Sequence, residues 1–138
     1  MDDERELQEK IMIHRLIEAK IESLLKQREA LIKSLMEIEE SINGIEELKN
    51  KGDDVLFSLG SQTYIPCKIV EKDKIIVEVG ANVAIEKSLE EGKQILQKRK
   101  EELSQSIANI EAAINQFSSG LKELREEIRK MMEERKAG

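Results

Sequence analysis

From Leu7 to Lys49 the apolar residues recur in alternating steps of four and three, and this restricts the fold more than any other feature of the chain. With Leu7, His14, Ile21, Arg28, Leu35, Ile42 and Lys49 at heptad position a, position d holds Lys10, Ile17, Leu24, Leu31, Ile38 and Ile45. On a helix such a repeat becomes a single stripe, which only another helix can cover along its length. A matching seam follows later: Leu96, Lys100, Leu103, Ile107, Ile110, Ile114, Phe117, Leu121, Leu124, Ile128 and Met131. Ser88, with Glu91 three residues on, has the spacing of a capping box and marks where the second helix starts. Each helix takes about 45 residues, on the order of 65 to 70 Å at ~1.5 Å per residue. Equal lengths let the second return along the first, so both chain ends meet at an open tip.

Composition agrees with long, two-faced helices. The chain is 38% charged and 39% apolar, with one tyrosine, two phenylalanines and no tryptophan, so it lacks the rings that fill a globular centre. Its 29 acidic and 23 basic residues give a net charge of −6. Nucleic-acid binding rests on clustered cations, which are absent. Charges are interleaved, as in Lys122-Glu123-Leu124-Arg125-Glu126-Glu127, so no basic face for an anionic membrane forms either. The N-terminus, Met1-Asp2-Asp3-Glu4-Arg5-Glu6, is acidic where a signal peptide is basic, and no run reaches the roughly 18 to 20 apolar residues of a membrane span. A cytoplasmic protein is predicted, and a single cysteine, unable to form an intrachain disulfide, agrees with a reducing compartment.

Between the helices the period changes. After Asn50-Lys51-Gly52-Asp53 come Val55-Leu56-Phe57-Ser58-Leu59, a turn at Gly60, and Tyr64-Ile65-Pro66-Cys67-Lys68-Ile69-Val70. Ile75-Ile76-Val77-Glu78-Val79 and Val83-Ala84-Ile85-Glu86 follow, separated by Gly80. Four strands in two β-hairpins are predicted. The domain plan is residues 1–51 as a first coiled-coil helix, 52–87 as hairpins for oligomerisation, and 88–138 as a second coiled-coil helix. The fold class is α+β. Isolated hairpins are marginal in water, so other chains must supply the missing cover. Leu56, Tyr64, Ile69, Val77, Val79, Val83 and Ile85 are the candidate subunit interface, with free strand edges beside them. Pro66, which has no amide hydrogen, belongs at an edge or a bulge.

Catalysis finds no footing. His14 and Cys67 are the only histidine and cysteine, and some thirty helical residues between His14 and the sheet put them roughly 50 Å apart. His14 reads as a polar seam residue that sets register, and Cys67 as a small strand residue. A two-helix rod offers no enclosed pocket to separate carboxylate pKa values, and the glycines follow no phosphate-loop spacing. No enzyme activity, metal or cofactor is predicted.

A surplus of apolar residues near the open tip is not needed by the seam: Ile11, Met12, Ile13 and Leu16 on the first helix and Met132 on the second. They are either scattered surface apolars that widen the local contact, or a patch where flexible methionines meet varied partners.

The order of helix, two hairpins and helix resembles prefoldin over the whole chain. The middle segment is similar to the archaeal-type α class, in Leu59-Gly60, in Tyr64 to Val70, and in the run Asp73-Lys74-Ile75-Ile76-Val77-Glu78-Val79-Gly80-Ala81-Asn82-Val83-Ala84-Ile85-Glu86-Lys87-Ser88. The β class has a single hairpin. Departures are Phe57-Ser58, where α members often carry an apolar residue and proline, and Cys67, where alanine is common. The resemblance implies an ATP-independent holdase in which two α and four β subunits form a double β-barrel body with coiled coils hanging from it. Tips would hold unfolded polypeptides and deliver them to a group II chaperonin. The implied client-binding residues here are Leu7, Ile11, Met12, Ile13, Leu16, Ile128, Met131 and Met132. Partners would be β-class subunits or further copies of itself, since one α-like branch of the family forms filaments. A purely structural filament subunit or tether accounts for the seams and the sheet equally well.

Overall fold

Both seams fold as helices, α1 (Asp2–Asn50) and α2 (Leu89–Ala137), and four short strands lie between them: β1 (Asp54–Gly60), β2 (Thr63–Lys68), β3 (Lys74–Gly80) and β4 (Val83–Ser88). The computed structural model describes residues 2–137. The architecture is α+β, two long helices with two small antiparallel hairpins. Along α1 the seam residues Leu7, Leu24 and Ile45 are buried, at 5, 7 and 6% exposure. The remaining a and d positions are half-buried, Lys49 alone excepted, and so is every seam residue of α2 from Leu96 to Met131. A paired helix covers one stripe and no more, which is why partial burial prevails.

The described residues fall into two compact units, one made of the stretch up to Lys33 with the stretch from Leu103, the other of Ser34–Glu102. In the first, Glu4 pairs with Arg135 at 2.7 Å, Lys10 with Glu127 at 3.0 Å and Arg28 with Glu111 at 3.0 Å. Numbers rise on α1 as they fall on α2, so the helices are antiparallel there. The second unit repeats this order, with Glu39 to Lys100 at 3.7 Å, Glu46 to Lys93, and Lys49 to Glu90 at 3.1 Å. Lys10, Arg28, Lys49 and Lys100 are the basic seam residues, and each reaches a carboxylate on the opposite helix. Long stems lie along the apolar stripe while the cations select one register.

The helix ends follow local chemistry. Ser88 Oγ accepts a hydrogen bond from the Glu91 amide at 3.1 Å, the first half of the expected box. Glu91 turns its carboxylate instead toward Lys87, 3.5 Å away. α1 ends at Asn50, one further turn bond running from the Lys51 amide to the Glu47 carbonyl at 3.0 Å.

The hairpins are near copies. β1 pairs with β2 (Val55 opposite Cys67, Phe57 opposite Ile65), and β3 with β4 (Ile75 opposite Lys87, Val77 opposite Ile85), each pair twenty positions on from its counterpart. Ser61-Gln62 and Ala81-Asn82 form the two-residue turns with positive φ at every position, 50° and 60°, 50° and 62°. Such turns match the twist of the strands they join. Gly60 and Gly80 precede them at φ 93° and 119°, where the register shifts by one residue. Only glycine takes that backbone without strain. Pro66 sits opposite Leu56 in a two-stranded sheet, where both strands are edges, as expected.

The second hairpin is seated on its own helix. Gly92 on α2 is buried, and a carbon placed on it would overlap the Ile75 side chain and meet Val77 Cγ2 at 3.8 Å. Arg99 Nη2 donates to the Glu78 carbonyl at 2.6 Å and ties β3 to the same helix. No helix among the described residues is long and apolar enough to cross a membrane.

Candidate functional site

The open end of the first unit separates the predicted tip residues into three environments. Met12, Ile13 and Leu16 are 60, 47 and 63% exposed. Spacings of three and four residues bring them together on one outer face of α1. Ile11 points about 200° away from Ile13, at roughly 100° per residue, and lines a different feature. With Ile128 and Met132 of α2 it lines a hollow of about 350 Å³, which His14, Arg15, Glu18 and Arg125 line as well. Met132 is 48% exposed there.

Leu7 and Met131 lie in the third environment. Leu7 is a packed seam residue, and with half-buried Met131 it lies beneath a hollow of about 460 Å³ walled by Asp3, Glu4, Glu6, Lys10, Glu134 and Arg135. Leu7 is nearly covered by this packing, and Met131 is half-buried like Ile11 and Ile128. The Glu127 carboxylate beside Lys10 raises that ammonium above its usual pKa, with Glu6 adding to it. His14 is a polar seam residue as predicted, its Nδ1 lying 2.7 Å from Glu18 Oε1.

In the sheet, Leu56, Tyr64, Val79 and Val83 are 67, 56, 47 and 52% exposed, whereas Ile69 and Ile85 are half-buried. Val77, at 7% exposure, is packed against Gly92 of its own chain. The residues missed are Phe57, Leu59, Ile65 and Ile76, exposed by 60, 60, 45 and 72%. The twenty-residue repeat was the signal that could have found them. Phe57 and Ile65 match Val77 and Ile85, yet they stay exposed where Val77 is packed against Gly92 of α2.

Directly opposed residues of a pair share a face. Leu56 with Pro66 and Ser58 with Tyr64 therefore make one face of the first hairpin, and Val55 with Cys67 and Phe57 with Ile65 the other. Both are apolar. A hollow of about 710 Å³ opens between this hairpin and the last turns of α1, lined by Gly44, Leu48, Val55, Leu56, Pro66 and Cys67 among others.

Below the hairpins, charges gather where the helices meet them. Glu46 lies between Lys93 and Lys49, its Oε1 shut off from solvent, and the Lys93 ammonium first, then Lys49, holds its carboxyl below the ordinary value. Lys49 is raised in turn, by Glu90 foremost and by Glu46. No group of three or more His, Cys, Asp or Glu side chains among the described residues is placed to hold a metal ion.

Comparison with known proteins agrees with this geometry. The family model described as prefoldin subunit matches residues 17–134. The prefoldin subunit alpha of Methanococcoides burtonii is 30% identical over 110 residues, covering 78% of this chain and 80% of that one. That of Thermofilum pendens is 29% identical over 97 residues, covering 69% and 75%. A cryo-EM structure of filamentous PFD from Methanocaldococcus jannaschii superposes with a TM-score of 0.70 at 26% identity, covering 82% of this chain and 95% of that one. Tip residues Leu7 to Leu16 precede the matched span, so their reading rests on geometry alone. Prefoldins are chaperones rather than enzymes and work as oligomeric complexes. Two paired helices, twin hairpins between them and relatives of the α class agree: the chain belongs to the prefoldin family, as an archaeal-type α subunit.

Proposed function

We propose that the chain is a holdase subunit, working without ATP in the cytoplasm. Its hairpins join further subunits into a body, and the helix ends hold non-native polypeptides for delivery to a group II chaperonin. The observation that carries this reading is the exposed patch of Met12, Ile13 and Leu16 beside the Ile11, Ile128 and Met132 hollow. Several exposed apolar side chains gathered at one place are unusual on a surface without a partner. Side chains as adaptable as methionine suit a surface that meets many sequences. The client-binding set is then Ile11, Met12, Ile13, Leu16, Ile128 and Met132, with Leu7 and Met131 as the packing beneath.

Assembly rests on Leu56, Phe57, Tyr64, Ile65, Ile76, Val79 and Val83, apolar side chains that their own chain leaves uncovered. Partners are β-class subunits or further copies. The likeness to filamentous PFD favours a second reading, a self-assembling filament subunit. Mass measurement of the protein alone and with a β-class subunit separates the two: a closed complex has one mass, an open filament a distribution. Aggregation of an unfolded client, followed by light scattering, tests holding. A chain that assembles and leaves the client's aggregation unchanged is a structural subunit.

A further inference from the structure

The tip hollow combines apolar and cationic lining residues. Ile11, Ile128 and Met132 line it, together with Arg15 from α1 and Arg125 from α2. Among the described residues neither arginine has a carboxylate within ion-pairing distance, unlike Arg28, Arg129 and Arg135, which all do. Glu18, the one acid lining the hollow, is turned to His14 at 2.7 Å. Two unpaired guanidinium groups thus line the hollow in a chain whose net charge is −6.

From this juxtaposition we infer that the hollow selects client segments in which one or two apolar side chains are flanked by carboxylates. The inference rests on the tip reading above and adds a substrate class to it. At about 350 Å³ the hollow lies near the lower end of the roughly 300 to 1,000 Å³ of ligand pockets, so it takes a side chain or two rather than a whole helix. Apolar contact provides the attraction common to every client. Arginine adds the choice, because its planar fork meets a carboxylate through two parallel N–H donors. An acidic neighbour on the client is drawn to the arginines and a basic one repelled. The Met12, Ile13 and Leu16 face lies on α1 alone and lacks the arginine that α2 contributes to the hollow.

The test uses fluorescent peptides with one Leu-Phe centre flanked by Glu, Gln or Lys, titrated against the full-length assembled protein by anisotropy. At low ionic strength the Glu-flanked peptide should bind on the order of threefold to tenfold tighter than the Lys-flanked one, the range open to two exposed ion pairs. The gap should shrink in about 0.5 M salt, where the screening length falls to a few ångströms. Arg15→Gln with Arg125→Gln should abolish the preference and Arg15→Glu with Arg125→Glu reverse it, both melting like the parent. Ile11→Ser with Met132→Ser should weaken all three peptides. Equal binding of the three, or a preference that survives both arginine pairs, overturns the inference and leaves the holdase reading standing. Failure of every peptide to bind, together with no suppression of client aggregation, overturns both.

Discussion

Ile75 of β3 fills the space that a side chain at Gly92 of α2 would need. Glycine inside a helix is unfavourable by about 1 kcal/mol relative to alanine, yet this one lets the second hairpin lie on its own helix. Gly120, in the same helix, has nothing within 4 Å of where its Cβ would be. Alanine should therefore act with opposite sign at the two positions. Gly120→Ala should raise stability by about 0.5 to 1 kcal/mol. Gly92→Ala must move Ile75 beside buried Val77 and should lower it by about 1 to 2 kcal/mol. Thermal melting followed by circular dichroism reads both.

Val77 and Val79 lie two residues apart and should fail differently when changed to lysine. Val77→Lys buries an ammonium against Gly92 and should lower the melting temperature of the subunit itself. Val79→Lys, on an exposed position, should leave melting nearly unchanged and reduce the assembly's mass by light scattering. Phe57→Lys should behave like Val79→Lys.

Acid should loosen the helix ends below the hairpins. Glu46 has its pKa depressed by Lys93 and then Lys49. A depressed carboxyl contributes stability that is full above its unfolded value near 4.5 and is lost as pH falls through the lower folded value. Melting temperature should therefore drop as pH falls from about 5 toward 3. In Glu46→Gln that drop should be smaller and the neutral-pH value lower.

Much of this fold could be read from spacing, and the reason is physical. Heptad steps identify the covered stripe of each helix, and every predicted seam position except Lys49 is at least half-buried. Ser88 announced the start of α2. The turns were less legible, because Ser61-Gln62 and Ala81-Asn82 lack the Asn-Gly pair that marks positive φ at both positions. The strands were legible as apolar runs but not as faces. Nothing in Val77 by itself tells whether its own helix or another chain covers it, and the notch at Gly92 decides that from fifteen residues away. At the tip, Leu7 and Leu16 look alike in composition, and only the seam register separates a packed residue from an exposed one.

Seam charge should govern register more than stability. Arg28 is held to Glu111 at 3.0 Å, between Ile21 and Leu35 in its row of the seam. Exposed pairs of this kind contribute little, so Arg28→Leu should melt no lower than the parent. Without the cation, neighbouring registers and extra helix–helix association become available. Spin labels on the two helices of the first unit should then report a broadened distance distribution.

The central claim is that the exposed tip face holds non-native chains, and one comparison tests it most directly. Met12→Ser, Ile13→Ser and Leu16→Ser together remove the face, and because these side chains are exposed, each should change stability by no more than about 0.5 kcal/mol. A control, Leu24→Ala in the buried seam, should lower stability by roughly 2 kcal/mol or more. Suppression of an unfolded client's aggregation is measured for each variant beside its melting curve and its assembled mass. The account predicts that the triple variant melts and assembles like the parent yet loses most of its protection. Full protection by a triple variant that melts and assembles normally would contradict it.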